Sequence, residues 1–423
     1  MRVLVVTNPE KTIFQYLVPV AWALRTAGHE VRVASQPSLV DTITTAGLTA
    51  VPLGRGRDQF RLARMAPDAL EREREGIPVP YDVAEQPARA TWEYLDAGFE
   101  QAVRHWHKME NFPLVADLVA FARAWRPDLI IWEPTAFAGA VAAKACGAAH
   151  ARLLYGVDVY GLGRAHYLLR LRERPGERVD RLAEWLGAYA ERFGGRFTED
   201  MATGQFTIDQ LPASLQTEAP GVRYVRTRYV PYGGPATVPA WLWEAPQRPR
   251  VALTMGLSAT EVYGGYTVSL QDVLDRLGEL DIEVVATVAE REQARLRRVP
   301  GNARLVPYVP LHALLPTCAA VVHHAGAATL ATAALHPVPH LALYYHFDQP
   351  MLARALVAQG SGLAAHTGRA TGEVVRDAVA RLLAEPYFRR NAARLRDEIL
   401  GSPSPNALVP ELEALTRKFQ SSP

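Results

Sequence analysis

The sequence predicts an α/β protein made of two domains, each built on a doubly wound parallel sheet. Three observations support this. The chain has 423 residues, which is too long for one ordinary domain. Short apolar runs alternate with helical patterns at the start of the chain and again after residue 250. A proline-rich stretch, 231–249, lies between the two patterns and is typical of a linker. The expected organisation is an N-terminal domain 1–230, the linker 231–249, a C-terminal domain 250–400, and a tail with a helix over 401–423.

The first fifty residues predict the order β-α-β-α-β. Residues 3–7 are a continuous apolar run, typical of a parallel strand that is buried on both faces. The following helix is expected to end at Gly28, because glycine adopts the left-handed conformation that closes many helices. The elements expected here are strand 3–7, helix 17–26, strand 31–34, helix 42–46 and strand 49–52.

The regular alternation stops at residues 55–110, where polar and mixed-charge segments predict inserted loops and short helices of the kind that often carry binding function. It resumes with helix 114–125, strand 127–133, helix 137–146 and strand 150–154. Residues 160–230 are expected to be irregular.

The second half restarts the same pattern after the linker, so a second parallel sheet is expected. Its expected strands are 250–255, 283–287, 304–306, 320–323 and 339–343. Its expected helices are 269–278, 311–316, 328–335, 349–358, 373–384 and 387–399. In doubly wound sheets, ligands bind outside the carboxyl ends of the strands, so we expect a ligand cleft between the two domains.

Composition excludes several classes of function. The net charge of +2 gives no reason to expect nucleic-acid or membrane-surface binding. No apolar stretch reaches the roughly 18 residues that a membrane span needs, and the start of the chain has no signal-peptide pattern. Cys146 and Cys318 lack metal-ligand spacing and are expected to be reduced core residues. These observations predict a cytoplasmic protein.

A turn of small residues follows the strand expected at 320–323. Its sequence is His323-His324-Ala325-Gly326-Ala327-Ala328-Thr329. Small side chains let backbone N–H groups approach an anion, and the start of the next helix contributes a positive dipole end. The turn therefore predicts a diphosphate-binding site.

Several stretches together resemble the actinobacterial glycosyltransferases that attach deoxysugars to polyketide antibiotics. The matching stretches are residues 17–31, which contain Ala27-Gly28-His29, Trp125-Arg126-Pro127-Asp128-Leu129, residues 310–318, and Ser402-Pro403-Ser404-Pro405. The resemblance covers nearly the whole chain. It implies a GT-B fold, with two Rossmann-like domains facing across a cleft, and an inverting transfer from a TDP-deoxysugar without a metal or other cofactor. It also leaves two questions of association open: whether a haem-less cytochrome-like activator binds the N-terminal domain, and whether the chain forms a homodimer.

The resemblance implies a role for each donor-side residue. His324 would bond a phosphate oxygen, whereas His323 is expected to be a buried neighbour. Alanine replaces the usual glycine at Ala325 and at Ala328, which makes a positive φ costly there. The remaining donor residues are Ser258, Gly326, Ala327, Ala328 and Thr329 for the diphosphate, Tyr308 and Val309 for the pyrimidine base, and Asp348 and Gln349 for the sugar. An acid at a helix start is also an ordinary N-cap, so that reading of Asp348 stays open.

The acceptor side lacks its expected catalytic base. Relatives that form O-glycosides hold a histidine in the first loop, and the matching position here is Ile13, beside Phe14. Both residues are predicted to line the acceptor site. Another residue could remove the proton, and the candidates are Asp158, Glu133, His105 and His107. Alternatively, the acceptor could be an acidic phenol, or the new bond could be to carbon.

The leading functional hypothesis is transfer of a deoxysugar from a TDP-sugar to an aromatic polyketide aglycone, with a C-glycosidic bond as one option. Three alternatives remain. The first is O-glycosylation of a macrolide-type or other natural-product hydroxyl. The second is a catalytically silent homologue that acts as a partner. The third is a sugar-nucleotide epimerase of the same architecture, although the insertions at 55–110 and 160–230 favour a transferase.

Overall fold

Two parallel sheets form the framework of the molecule. The structure is a computed structural model that describes residues 1–56, 74–175, 179–256, 258–261 and 263–420, without the side chains of Ser258 and Glu261. In these residues, the N-terminal sheet has the strand order β3-β2-β1-β4-β5-β6-β7 and the C-terminal sheet has the order β10-β9-β8-β11-β12-β13. Both orders are doubly wound, which confirms the predicted fold class.

The N-terminal sheet is buried on both faces. Its strands are β1 (Arg2–Val6), β2 (Glu30–Ser35), β3 (Thr49–Pro52), β4 (Leu129–Trp132), β5 (Ala149–Leu153), β6 (Phe206–Asp209) and β7 (Tyr224–Arg226). Along β1, Val3 and Val5 belong to one hydrophobic cluster, whereas Leu4 and Val6 belong to another on the opposite face. This explains why the strand is a continuous apolar run rather than an alternating one.

Helices cover both faces of this sheet. They are α1 (Lys11–Thr26), α2 (Val40–Thr45), α3 (Trp92–Ala102), α4 (Lys108–Trp125), α5 (Ala138–Cys146), α6 (Val159–Glu173), α7 (Arg181–Arg192) and α8 (Asp200–Thr203). A π-helical turn, Val103–His107, joins α3 to α4, and Pro113 lies inside α4. Both features interrupt regular i→i−4 bonding, so the backbone is irregular on each side of the first turn of α4.

The prediction that residues 160–230 are irregular is wrong. This region contains α6, α7 and α8 and supplies β6 and β7, which extend the N-terminal sheet by two strands. Each of these strands has at most four residues, too few to give a periodic signal in the sequence. Part of the insertion predicted at 55–110, residues 57–73, lies outside the described residues.

The C-terminal sheet follows the predicted alternation, with one strand more than expected. Its strands are β8 (Arg250–Thr254), β9 (Glu283–Thr287), β10 (Ala303–Val306), β11 (Ala320–His323), β12 (His340–Tyr344) and β13 (Gly362–His366). The strand not predicted is β13, in which small residues replace the usual β-branched ones. The helices are α9 (Ser258–Glu261), α10 (Leu270–Leu277), α11 (Glu290–Gln293), α12 (Leu311–Leu314), α13 (Ala327–Ala334), α14 (Gln349–Gln359), α15 (Gly372–Ala384), α16 (Pro386–Gly401) and α17 (Pro405–Phe419).

The last helix returns to the N-terminal half. Leu408, Leu412 and Leu415 of α17 are buried in the same cluster as Val3 and Val5 of β1. The turn before α17 is tied to the same half, because the backbone N–H of Arg228 donates to the carbonyl of Pro403 at 2.8 Å. The helix predicted in the tail is therefore part of the N-terminal core.

The two sheets face each other across a cleft. The strand order reverses between β1 and β4 in one sheet and between β8 and β11 in the other, which are the positions where such sheets leave a crevice. Gly76 also joins the two halves, since its N–H donates to the carbonyl of Tyr345 and its carbonyl accepts from the N–H of Phe347, both at 2.9 Å. None of the described helices is both long and apolar enough to cross a membrane.

Candidate active site

The cleft has a volume of about 1620 Å³ and takes its lining from both halves of the molecule. From the N-terminal half come Ile13 on α1, Trp106 in the π-helical turn, and Glu110 on α4. From the C-terminal half come Tyr308, before α12, and the turn between β11 and α13. The cleft therefore brings together the predicted donor residues and Ile13, which are separated by about 300 positions in the sequence.

The turn after β11 has the shape that an anion site requires. Gly326 is the N-cap of α13, and Gly326, Ala327, Ala328 and Thr329 all line the cleft. The first N–H groups of a helix have no partner within the helix, so they are available to an anion in the cleft. Ala325 adopts a φ of 63°, in the left-handed region. This conformation costs an alanine about 1–2 kcal/mol, a strain that a glycine would avoid.

His324 lies between two glycines. A Cβ on Gly256 would be 2.6 Å from Cε1 of the imidazole, and a Cβ on Gly326 would overlap Nε2. Gly256, which follows β8, also has a φ of +75°. Only glycine satisfies both the conformation and the space at that position, so the sequence of the β8 turn determines where the His324 ring can lie.

His324 is uncharged in the free protein but can bond an anion. Burial, with a smaller contribution from nearby His346, lowers its pKa to about 4. Its Nδ1 has no hydrogen-bond partner among the described residues. A buried polar atom without a partner carries a desolvation cost that a ligand in the cleft could remove. His323, in contrast, is the buried neighbour that the sequence predicts, because its Nε2 lies 3.0 Å from Nδ1 of His340.

The other donor-side residues occupy the same end of the cleft. Tyr308 is 44% exposed and lines the cleft with Val309, so a face of its ring is available for stacking. Ser258 begins α9, directly after the β8 turn, but its side chain lies outside the described residues.

Asp348 and Gln349 begin α14 and line the cleft. The Asp348 side chain makes no capping hydrogen bond, and its Oδ2 instead accepts from the N–H of Val157 at 2.9 Å. Asp348 is therefore the N-cap residue of α14 by position, but its side chain does not cap the helix. Burial raises the pKa of Asp348 to about 7. The Oε1 of Gln349 accepts from the N–H groups of Tyr345 and His346, which orients its amide.

Ile13 lines the cleft, but Phe14 does not. Phe14 is only 1% exposed and packs in the cluster beneath α1, with Leu17 and Val18. Phe14 belongs to the side of α1 that packs on the sheet, whereas its neighbours Thr12 and Ile13 both line the cleft. The prediction that Phe14 contacts the acceptor is therefore wrong.

Asp158 does not face the cleft, and its predicted role as catalytic base is wrong. The residue is fully buried and its carboxylate forms a two-pronged ion pair with Arg152, at 3.0 and 2.6 Å. It also caps α6 through the N–H of Gly161 and accepts from the Tyr224 hydroxyl at 2.6 Å. A carboxylate with four donors and no access to substrate is a structural group.

Glu133 is also enclosed and does not line the cleft, so direct contact with substrate is excluded for it as well. It accepts from the backbone N–H of Asn8 at 3.3 Å and from that of Thr135 at 2.8 Å. Burial raises its pKa to about 7 despite these bonds. The candidate His107 is buried too, with Nε2 2.6 Å from the Tyr81 hydroxyl, whereas His105 is exposed in the cleft.

Glu110 is a cleft carboxylate that the sequence reading missed. It lies on the first turn of α4 and is partly exposed to the cleft. Desolvation, followed by the charge of Glu133, raises its pKa to about 8. Its sequence signal was weak because it lies at the end of the segment predicted as an insertion, 55–110, about 100 positions from Ile13. The π-helical turn that precedes it leaves no clear mark in composition.

Comparisons with known proteins agree with this geometry. Residues 22–256 match the N-terminal domain model, and residues 271–415 the C-terminal domain model, of the family described as erythromycin biosynthesis protein CIII-like. The chain is 47% identical to the 10-deoxymethynolide desosaminyltransferase of Streptomyces venezuelae, over 100% of this chain and 99% of that protein. It is 44% identical to the TDP-daunosamine transferase DnrS of Streptomyces peucetius, over 100% and 98%. Among solved structures, the glycosyltransferase VinC in complex with dTDP superposes with a TM-score of 0.87 at 37% identity, over 99% of this chain and 100% of that one.

Two facing doubly wound sheets, with an anion-binding turn at the crevice of the second, are the architecture of the GT-B fold, and the match to VinC identifies the class as glycosyltransferases. The extent of the matches makes the assignment narrower. The chain belongs to the EryCIII-like family, and it is an enzyme related to the deoxysugar transferases of antibiotic biosynthesis.

Proposed function

We propose that this enzyme transfers a deoxysugar from a TDP-sugar to an aromatic polyketide aglycone, with inversion at the anomeric carbon and without a metal or other cofactor. The single observation that carries the proposal is the convergence of the anion-binding turn, an exposed tyrosine and a buried acid in one cleft. One of the relatives named above is named as a transferase of a TDP-sugar, TDP-daunosamine, and VinC was solved with dTDP.

The donor would lie along the carboxyl edge of the C-terminal sheet. The thymine would stack on Tyr308, the diphosphate would accept hydrogen bonds from His324 and the start of α13, and the sugar hydroxyls would meet Asp348 and Gln349. As the bond between the anomeric carbon and the diphosphate breaks, negative charge grows on the leaving oxygen. Donors already fixed around that oxygen stabilise the charge without reorganising, which is the usual source of electrostatic catalysis.

The acceptor would occupy the N-terminal side, whose walls are rich in aromatic side chains. Trp106, Tyr155, Tyr160 and Trp185 line the cleft from this half, and the ring of Phe347 from the C-terminal half packs against Tyr155 and Tyr160. Flat aromatic surfaces favour a flat aromatic ligand through stacked and edge-to-face contacts. Ile13 adds an apolar contact on the same side, where relatives hold a histidine.

The test is one incubation with a panel of TDP-deoxysugars and an aromatic aglycone, with product detected by mass spectrometry. We expect an aglycone carrying one deoxysugar, together with equimolar TDP. Treatment of the product with acid then distinguishes the bond types, since an O-glycoside is cleaved and a C-glycoside survives. Binding of TDP without transfer to any acceptor would instead support the silent-partner alternative.

A macrolactone hydroxyl is the second candidate acceptor, because the 47%-identical relative is named for a macrolactone substrate. The sequence argument against it was the absence of a base at Ile13. The presence of Glu110 in the cleft weakens that argument, since a carboxylate can also assist an aliphatic hydroxyl. Measuring kcat/KM for both acceptor classes in parallel decides between them.

The activator protein and the homodimer stay predictions. The first is checked by assaying transfer with the chain alone, and the second by light scattering.

A further inference from the structure

The cleft contains four carboxylates among its described lining residues, and three of them already have structural duties. Glu10 caps α1 by accepting from the N–H of Thr12, and Glu75 pairs with His366 at 3.3 Å. Asp348 accepts from Val157 at the donor end. Glu110 is the remaining carboxylate, and it lies on the acceptor side, where its contacts hold it without neutralising its charge.

Two side chains from separate elements hold Glu110 in place. The amide Nδ2 of Asn8, which follows β1, lies 3.3 Å from Oε2 of Glu110 and donates to it. Trp106 contributes a further side-chain hydrogen bond to this carboxylate, whereas the single hydroxyl proton of Thr135 is directed at Glu133. Both donors to Glu110 are neutral, so they orient the carboxylate and leave its negative charge unpaired. Asn8 is five positions before Ile13, so Glu110 lies at the same end of β1 as the missing histidine.

Glu133 shares the scaffold that holds Glu110. The Thr135 hydroxyl lies 3.1 Å from both oxygens of Glu133, and Asn8 Nδ2 donates to the same hydroxyl at 2.9 Å. Glu110 and Glu133 are therefore linked through Asn8 and Thr135 at the reversal point between β1 and β4. Two carboxylates held this close favour a state in which one of them keeps a proton.

We propose that Glu110 is the general base of this enzyme, and that Glu133 is a positioning residue that keeps Glu110 a strong proton acceptor. The inference rests on the proposed glycosyl transfer. The acceptor hydroxyl gives its proton to a carboxylate oxygen of Glu110 while its oxygen forms the bond to the anomeric carbon. The bond from that carbon to the diphosphate breaks, and TDP leaves with the electron pair. The proton on Glu110 then passes to solvent through the open cleft.

The arrangement predicts a particular pH dependence. The titratable groups that interact with Glu110 are Glu133 behind it and the phenols Tyr81, Tyr155 and Tyr160. The pKa of Glu110 is raised to about 8 by desolvation and by Glu133. A base works only when ionised, so kcat should fall as the pH drops below about 8. Removing the charge of Glu133 should lower the pKa of Glu110 and move that fall to lower pH.

The test compares E110Q, E133Q and H105N with wild type across pH 6–9. We expect E110Q to lose roughly 10²–10⁴-fold in kcat, the usual range for general-base assistance, with unchanged TDP affinity by calorimetry. E133Q should retain activity and shift the acid limb to lower pH, which a merely structural role would not do. Adding I13H to E110Q should recover at least about tenfold, because it places an imidazole base at the same end of β1.

Two outcomes would overturn the inference. One is an E110Q variant that keeps kcat within about threefold of wild type at every pH, above all if H105N loses activity instead. The other comes from infrared spectroscopy, which needs no substrate. Wild type should show protonated carboxyl absorption that disappears as the pH rises through 7–8. Asp348 and Glu133 also titrate in this range, so the Glu110 component is isolated in the difference spectrum between wild type and E110Q. If that component is absent, Glu110 does not hold a proton there. Failure of the proposed function is separate, since it would appear as wild type that transfers no sugar to any acceptor, whether or not it binds TDP.

Discussion

Replacing Asp158 with asparagine should lower the stability of the folded enzyme while leaving its chemistry intact. The substitution keeps one oxygen, which can serve either Gly161 at the Oδ1 position or Tyr224 at the Oδ2 position, and removes the charge that Arg152 needs. The fully buried guanidinium would keep only neutral acceptors, namely that amide oxygen, the carbonyl of Thr203 and the hydroxyl of Thr207. Breaking a buried ion pair by removing one partner typically costs about 3–5 kcal/mol.

That cost can be converted into a melting temperature. For a unit of 150–250 residues, each kcal/mol shifts Tm by about 2–4 °C, so D158N should lower the Tm of the N-terminal transition by roughly 6–20 °C. The assay is differential scanning calorimetry, paired with kcat measured well below the transition. Tyr224→Phe is the matched control, because it removes one hydrogen bond to the same carboxylate and should cost about 1–2 kcal/mol. If D158N instead melts like wild type and loses kcat by a hundredfold, Asp158 is catalytic and its assignment as a structural group is wrong.

Three further predictions concern the donor end of the cleft. His324→Ala should weaken TDP binding about 10–150-fold, since a hydrogen bond to a charged group is worth about 1.5–3 kcal/mol, and calorimetry with unchanged affinity would contradict it. Gly256→Ala should weaken TDP binding too, because its Cβ would displace the His324 ring and its φ of +75° disfavours alanine. The check is the same titration. Gly28→Ala is the control for backbone strain alone, because its Cβ would meet nothing within 4 Å. Transfer should persist in EDTA, because helix N–H groups and His324 can carry the leaving-group charge; loss of turnover that only magnesium restores would overturn this.

Much of the fold was predictable because each strand of a parallel sheet is buried on both faces. Val3 to Val6 show this as an unbroken apolar run, and the Gly28 turn closes the next helix where it should. The strands that were missed are short, as β7 is, or built of small residues, as β13 is. Their position depends on neighbouring strands rather than on their own composition.

The residues of the candidate site also differ in how well the sequence predicts them. The donor turn is local in sequence, so His324 and Thr329 could be placed in one cleft from a single motif. The surroundings of each candidate base depend on packing between distant segments, and nothing in the sequence says that Arg152 neutralises Asp158 or that Asn8 orients Glu110. A carboxylate after a strand is equally compatible with a catalytic and a structural role until its partners are known.

The crystal structure of the enzyme with TDP is the most direct test of the proposed donor site. We predict that the diphosphate oxygens lie within hydrogen-bond distance of His324 and of the backbone N–H groups that begin α13, with the thymine ring stacked on Tyr308. A diphosphate bound instead at the β1–β4 crevice, near Asn8 and Glu110, would contradict both the donor assignment and the placement of the catalytic base.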